Sequence, residues 1–208
     1  MTNILSKEKI KRLVEMCLEE RKIFHSEADF QHYLAWKIHK EFNENFEIRL
    51  EFVIGAKHID IILIDSDKNK IGIELKYKTK KSLVKIDEED YNLKSHGAQD
   101  IGRYDVIKDI ERLEELVTED KIKLGFVIFL TNDESYMRKV KKNASEFSLE
   151  DGREITGKMN WGKNTGDGTK KNREKTLSLN GKYKIDWING SNISDKNNFR
   201  YTIFEIHK

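Results

Sequence analysis

The chain has no proline, a single cysteine, and no apolar run of the roughly 18–20 residues that a membrane-spanning helix needs. A lone thiol, Cys17, excludes an internal disulfide framework and a cysteine-built zinc cluster. The absence of proline removes one class of turn and linker marker. An excess of one charge is missing too. The 208 residues sum to +2, so no global basic field points to nucleic acid, and any such surface has to be local. The stretch Met1-Thr2-Asn3-Ile4-Leu5-Ser6-Lys7-Glu8 lacks a signal-peptide core, and the expected compartment is the cytoplasm. Hydrophobic and charged residues each make up 37 %, which is polar for a globular chain, while 10 % aromatics argues against disorder. The length suits one sizeable domain with room for a smaller appendage.

From Ser6, a plausible N-cap, Ile10, Leu13, Val14, Cys17 and Leu18 recur at helical spacing. They predict an N-terminal helix within residues 1–23 packed on the core. A second helix starts at Ser26, with Asp29 in a capping-box-like position and a stripe of Phe30, Tyr33, Leu34, Ile38 and Phe42. Glu27 and Gln31 border that stripe one turn apart, so this acid faces the domain. The plain alternative is first-turn compensation of the helix dipole. Residues 46–54 alternate as a strand, Gly55-Ala56 turns, and two apolar strands at 57–64 and 71–76 continue an antiparallel meander. Thr79 to Gly97 reads as a long surface connection. Ile101, Tyr104, Ile107, Ile110, Leu113 and Val117 predict a helix over 98–119, with Lys108 and Arg112 on a basic edge. Leu124 to Leu130 is unbroken apolar sequence, the mark of a central strand covered on both faces. A short helix over 135–142 and strands at 175–179, 183–188 and 200–206 complete the pattern.

Two of these strands carry charges that do not suit their surroundings: Asp60 in the first, Glu74 and Lys76 in the second. Such side chains are costly to bury without a partner. Glu74 and Lys76 are two residues apart, so they project to the same face, while the Leu75 carbonyl stays available at the strand edge. Two carboxylates and a carbonyl make a hard-oxygen site suited to Mg²⁺ or Mn²⁺. Such an ion polarises a phosphodiester and lowers the pKa of a bound water, and Lys76 is placed to orient that water or offset charge on the phosphate. The competing reading is a cross-strand ion pair on a solvated sheet face, contributing about 0–1 kcal/mol.

The arrangement resembles the PD-(D/E)xK nuclease superfamily, the restriction-endonuclease-like fold, over residues 24–132. Asp60, Glu74 and Lys76 match the three signature positions, and Glu27 matches the extra acid that many members carry in the first helix. Gln99 or Arg103 corresponds to a polar residue on the following helix. The chain departs in having Ile59 rather than proline before Asp60, and it shows no subfamily signature. The resemblance implies an α/β fold with a mixed central sheet flanked by helices and its core at 24–148; composition adds a basic, Gly-rich β extension at 149–208 completing the domain. It implies a metal-dependent nuclease with Mg²⁺ or Mn²⁺ held by Asp60, Glu74 and Leu75. Catalysis then involves Asp60, Glu74, Lys76, Glu27 and Gln99. The expected partner is DNA, with RNA left open, and duplex cutting by one small domain suggests a homodimer. A non-cleaving nucleic-acid-binding or assembly module on the same fold is the alternative.

Lys78, Lys80 and Lys81 follow the signature and are candidates for contacting nucleic acid, as is Arg103. Residues 151–184 hold nine basic residues against four acidic ones, with Trp161 and Tyr183 interleaved and Trp187 just beyond. Cations on phosphates and rings on bases would suit nucleic acid, with Lys170, Lys171 and Arg173 as candidate contacts. A solvent-exposed β appendage explains the composition equally well.

Overall fold

The computed structural model describes residues 5–42, 45–194 and 197–208. It opens with α1 (Lys7–Glu20) and α2 (Glu27–Phe42). Ser6 Oγ caps α1 through the Lys9 amide, and Ser26 Oγ accepts from Asp29 N at 3.1 Å. Asp29 in turn accepts from His25 N and pairs with Arg21, fixing the α1–α2 corner. A meander follows: β1 (Glu47–Ile54), β2 (Lys57–Ile64) and β3 (Lys70–Lys78). Next come a hairpin of β4 (Ser82–Ile86) and β5 (Glu89–Leu93), the long helix α3 (Gln99–Thr118), and β6 (Leu124–Thr131). After two 3-10 turns, Glu134–Met137 and Lys142–Phe147, come β7 (Glu154–Met159), the single-turn α4 (Asp167–Lys170), β8 (Leu177–Lys184), β9 (Ile188–Ser194) and β10 (Asn197–Ile206).

The six-stranded sheet runs β1-β2-β3-β6-β10-β9. Only β3 and β6 are parallel, as the α3 crossover between them requires; the other pairs are antiparallel. The fold is thus α/β with a mixed central sheet flanked by helices, plus two small hairpin sheets. Helices α1 and α2 cover one face, over Ile61, Leu63, Ile73, Leu75, Phe126 and Tyr201. The α3 helix and the β7–β8 hairpin cover the other, over Ile59, Ile62, Val127, Phe129 and Phe204. Each fully buried aliphatic or Phe side chain contributes about 1.5–3 kcal/mol. Every residue of β6 is buried, as its apolar sequence requires of a strand roofed on both sides. Among the described residues, no helix is long and apolar enough to cross a membrane.

Two expectations are corrected. The 79–97 connection is the β4–β5 hairpin, with Tyr91 and Leu93 buried. Its alternation was masked by lysines before it and by the acidic turn at Asp87-Glu88, where Asp87 takes φ +52°. The C-terminal segment extends the central sheet, since β10 pairs with β6 along Arg200–Ile206. The rings of the basic segment also turn inward: Trp161 stacks on Tyr104, Trp187 packs edge-on against Phe129, and Tyr183 is buried. Both indole N–H groups donate to backbone carbonyls, those of Arg173 and Leu149. Acids of α3 hold the extension in place. Glu111 accepts from Ser178 N and Lys175, and Glu114 accepts from Asn180 N, Gly181 N and the Tyr183 hydroxyl.

Candidate active site

The β2–β3 ladder ends early. Its last pair toward the site is Ile61 with Ile73, whereas β3 runs on beside β6 to Lys78. Within β2 the side-chain alternation breaks at Asp60: Ile59 packs in the α3 layer, but Ile61 packs in the α1–α2 layer. Across the β1–β2 pair, Glu51 takes a left-handed φ of +50°, a strained backbone for a residue with a Cβ. The consequence is a gap at the β3 edge, filled by side chains. Asp60 Oδ2 accepts from Leu75 N at 2.6 Å, and Glu27 Oε2 accepts from Tyr77 N at 2.7 Å. Gln31 donates to the Asp60 carbonyl and to Glu51, both at 2.7 Å. The inward-facing acid expected at the start of α2 therefore has a backbone partner, beyond any dipole compensation.

Glu74 and Lys76 project from β3 toward α3. Glu74 is fully buried, with Oε1 2.7 Å from Arg112 Nη2, yet neither of its oxygens accepts a well-formed hydrogen bond. Lys76 Nζ lies 2.7 Å from Asp109 Oδ2 and 3.2 Å from the Leu75 carbonyl. Arg112 bridges back to Asp109 at 2.6 Å. If all are ionised, the carboxylates of Glu27, Asp60, Glu74 and Asp109 outnumber the adjacent cations Lys76 and Arg112, a surplus of negative charge at a largely buried place. The pKa values reflect it. Burial, reinforced by Asp109 and opposed by Arg112, pushes Glu74 up to about 9. Burial also raises Asp60, against the Leu75 N–H and Lys76. For Lys76 burial disfavours the ammonium, but Asp109, Glu27 and Asp60 outweigh it and hold the group above its ordinary value.

No family model matches the chain, and no curated protein matches it. The site has to be judged by its own chemistry.

In donor chemistry Asp60, Glu74 and the Leu75 carbonyl suit a hard divalent ion, and the two Glu74 oxygens without hydrogen bonds are the orphaned acceptors such an ion would satisfy. In geometry they do not yet converge. Among the described residues, no three of His, Cys, Asp and Glu are grouped closely enough to hold a metal. Arg112 and Lys76 take up the carboxylates instead, so Arg112 must leave Glu74 for an ion to enter.

Asp60, Glu74, Leu75, Lys76 and Glu27 thus lie along one stretch of β3, with Asp60 and Glu27 on its backbone amides and Glu74 and Lys76 turned to Arg112 and Asp109. Gln99 and Arg103 are not brought there. They lie ten and six residues before Asp109 on α3, about 15 and 9 Å along its axis. Gln99 donates to Asp133, and the buried Arg103 pairs with Asp100 and donates to the Ser135 carbonyl. Lys80 approaches Asp133 at 3.4 Å. Lys78, Lys81, Lys170 and Lys171 have no ion-pair partner among the described residues, whereas Arg173 is committed to a two-pronged pair with Asp105. The sequence pattern left Asp109 unmarked and gave Arg112 only as part of a basic edge with Lys108. The available signal was their i,i+3 spacing at the border of the α3 stripe, which marks a pair facing the sheet margin.

Proposed function

We propose that the chain is a metal-dependent nuclease of PD-(D/E)xK type, hydrolysing phosphodiester bonds in DNA. The observation that carries this reading is the gap in the β2–β3 ladder, where Asp60 binds the Leu75 amide and Lys76 Nζ lies near the Leu75 carbonyl, with Glu74 on the same strand. The order of α2, the β1–β3 meander, α3 and β6 beside β3 supports it as the order the restriction-endonuclease-like fold implies. Asp60, Glu74 and Leu75 would hold Mg²⁺ or Mn²⁺. When bound, the ion supplies Lewis acidity at the phosphate and a water of lowered pKa. Lys76, kept charged by Asp109, would orient that water or neutralise charge gathering on the phosphate. Glu27 fixes the β3 edge through the Tyr77 amide and thereby sets where the other groups stand.

One observation favours the second reading, a non-cleaving nucleic-acid-binding module. The Glu74–Arg112 and Lys76–Asp109 pairs neutralise much of the site internally. Calorimetric titration with Mn²⁺ and Mg²⁺, run beside cleavage assays on plasmid, single-stranded and branched DNA and on RNA, separates the two. The nuclease reading expects cation binding and cleavage, both lost in Asp60→Asn and Glu74→Gln. Absence of both in the wild-type chain leaves the binding module.

A further inference from the structure

Two of the three groups suited to a divalent ion already face a cation of the chain itself. Arg112 Nη2 lies 2.7 Å from Glu74 Oε1, and Lys76 Nζ lies 3.2 Å from the Leu75 carbonyl. Both cations also rest on one acid. Asp109 Oδ1 accepts from Arg112 Nη2 at 2.6 Å, and Asp109 Oδ2 lies 2.7 Å from Lys76 Nζ. Asp109 and Arg112 are neighbours one turn apart on α3, so their contact does not depend on where β3 stands.

The two contacts of Arg112 are unequal. With Asp109 it makes a hydrogen bond; with Glu74 it makes a close charge contact in which neither carboxylate oxygen accepts a well-formed hydrogen bond. One nitrogen serves both acids, and the buried Nε has no hydrogen-bond partner among the described residues. Other arginines of this chain are held differently. Arg21 meets both oxygens of Asp29 with Nη1 and Nη2, and Arg173 meets both oxygens of Asp105 with Nε and Nη2. Such two-pronged pairs are the strong, geometrically fixed form. Arg112 on Glu74 is single-pronged, the half of its bridge that yields first. The Arg112 side chain is also 24 % exposed while Glu74 is fully buried, so its withdrawal gives solvent a way to that carboxylate.

We propose that Arg112 is an internal stand-in cation that closes the site, and that Asp109 is the seat on which its guanidinium stays when a divalent ion takes Glu74. Charge balance favours the exchange. Counted as ionised, Glu27, Asp60, Glu74 and Asp109 bring −4 against +2 from Lys76 and Arg112, so a divalent ion neutralises the cluster without expelling either cation. Asp109 is thereby a positioning residue, acting through Arg112 and Lys76. That the ion is Mg²⁺ or Mn²⁺, and that its entry licenses phosphodiester hydrolysis, rests on the nuclease reading.

The test uses the full chain with Mn²⁺ or Mg²⁺ alone, without nucleic acid. A site closed in about nine chains of ten loses about tenfold in apparent affinity, so calorimetry should show Arg112→Gln binding Mn²⁺ about tenfold more tightly than wild type. Asp109→Asn should weaken binding by a similar factor in the wild-type chain but hardly at all beside Arg112→Gln, since the seat matters only while there is an arginine to receive. Simple loss of nearby charge would make the two effects additive. Titration of wild type carrying ¹⁵N-arginine with Mg²⁺ should shift the Arg112 side-chain signal in a saturable way and leave those of Arg21 and Arg173 in place. This measurement does not depend on a variant that folds. Equal or weaker Mn²⁺ binding by Arg112→Gln, additive effects, or an Arg112 signal unmoved at saturating Mg²⁺ overturns the stand-in and leaves the metal site standing. Failure of wild type and Arg112→Gln alike to bind either ion overturns both. If the ion binds and Arg112 moves, but neither chain cleaves DNA or RNA, the nuclease reading falls and the stand-in remains.

Discussion

At Asp60 the strand stops alternating, and its carboxylate lies in the sheet plane against Leu75 N rather than in either helical layer. Glu74, one residue beyond Ile73 of the last β2 pair, has lost water without gaining hydrogen bonds. A pH dependence follows. The folded chain retains the Glu74 proton up to about 9, whereas an unfolded glutamate releases it near 4.5. Folding therefore takes up a proton across that window, and this group's contribution to stability falls as pH rises through it, by at most about 1.4 kcal/mol per pH unit. Urea unfolding of wild type and Glu74→Gln at intervals from roughly pH 5 to 8.5 should show the variant gaining on the wild type as pH rises. Parallel curves would remove Glu74 as the source. Asp60, Glu74 and Lys76 were legible in the sequence because a charge inside an apolar strand is an anomaly that demands a partner. Asp109 and Arg112 were not, because a helical stripe shows which side is buried but not what its border residues meet.

Among the elements, α3 carries the most: it roofs the second core, supplies Asp109 and Arg112 to the site, and clamps β8 through Glu111 and Glu114. Its close approach to the turn at Glu134–Met137 depends on Gly102, where an added Cβ would sit 2.3 Å from Tyr136 Oη. Gly102→Ala should cost about 1–3 kcal/mol from overpacking. Tyr136→Phe in the same chain removes the clashing oxygen and should recover part of that loss, a non-additivity visible in a double-mutant cycle of unfolding free energies. Simple additivity would show that the contact is absent in solution. Helix α3 and β6 were plain in the sequence because each repeats one periodicity without interruption. The β4–β5 hairpin was not, since its five-residue strands are flanked by charges denser than its apolar signal.

For the molecule as a whole, the deciding pairing is β10 with β6. The last strand buries Phe199, Tyr201 and Ile203 in one core and Phe204 and Ile206 in the other. A chain truncated before β9 exposes β6 along an edge and loses apolar contacts on both faces. It should fail to give a cooperative thermal transition, measured by circular dichroism. A folded, cooperative truncation product would mean that residues 1–187 fold without β9 and β10. Composition separated the basic segment from the rest of the chain, but the pairing of β10 with β6 is a long-range contact that local pattern does not encode. The inward turn of its rings was hidden for the same reason, as alternating cations and aromatics read alike whether the rings face bases or a core.

The early end of the β2–β3 ladder also bears on amide hydrogen exchange. Leu75 and Tyr77 lie in the middle of the sheet, where protection usually reflects global unfolding. Their amides are instead held by the carboxylates of Asp60 and Glu27. Two side-chain rotations suffice to release them, with no strand leaving its neighbour. Leu75 and Tyr77 should therefore exchange faster than Ile73 and Phe126 on the same core face, and replacing Asp60 with Ala should accelerate Leu75 selectively. The centre of this sheet should therefore open locally by rotation of the Asp60 and Glu27 side chains, beside the residues proposed to hold the ion.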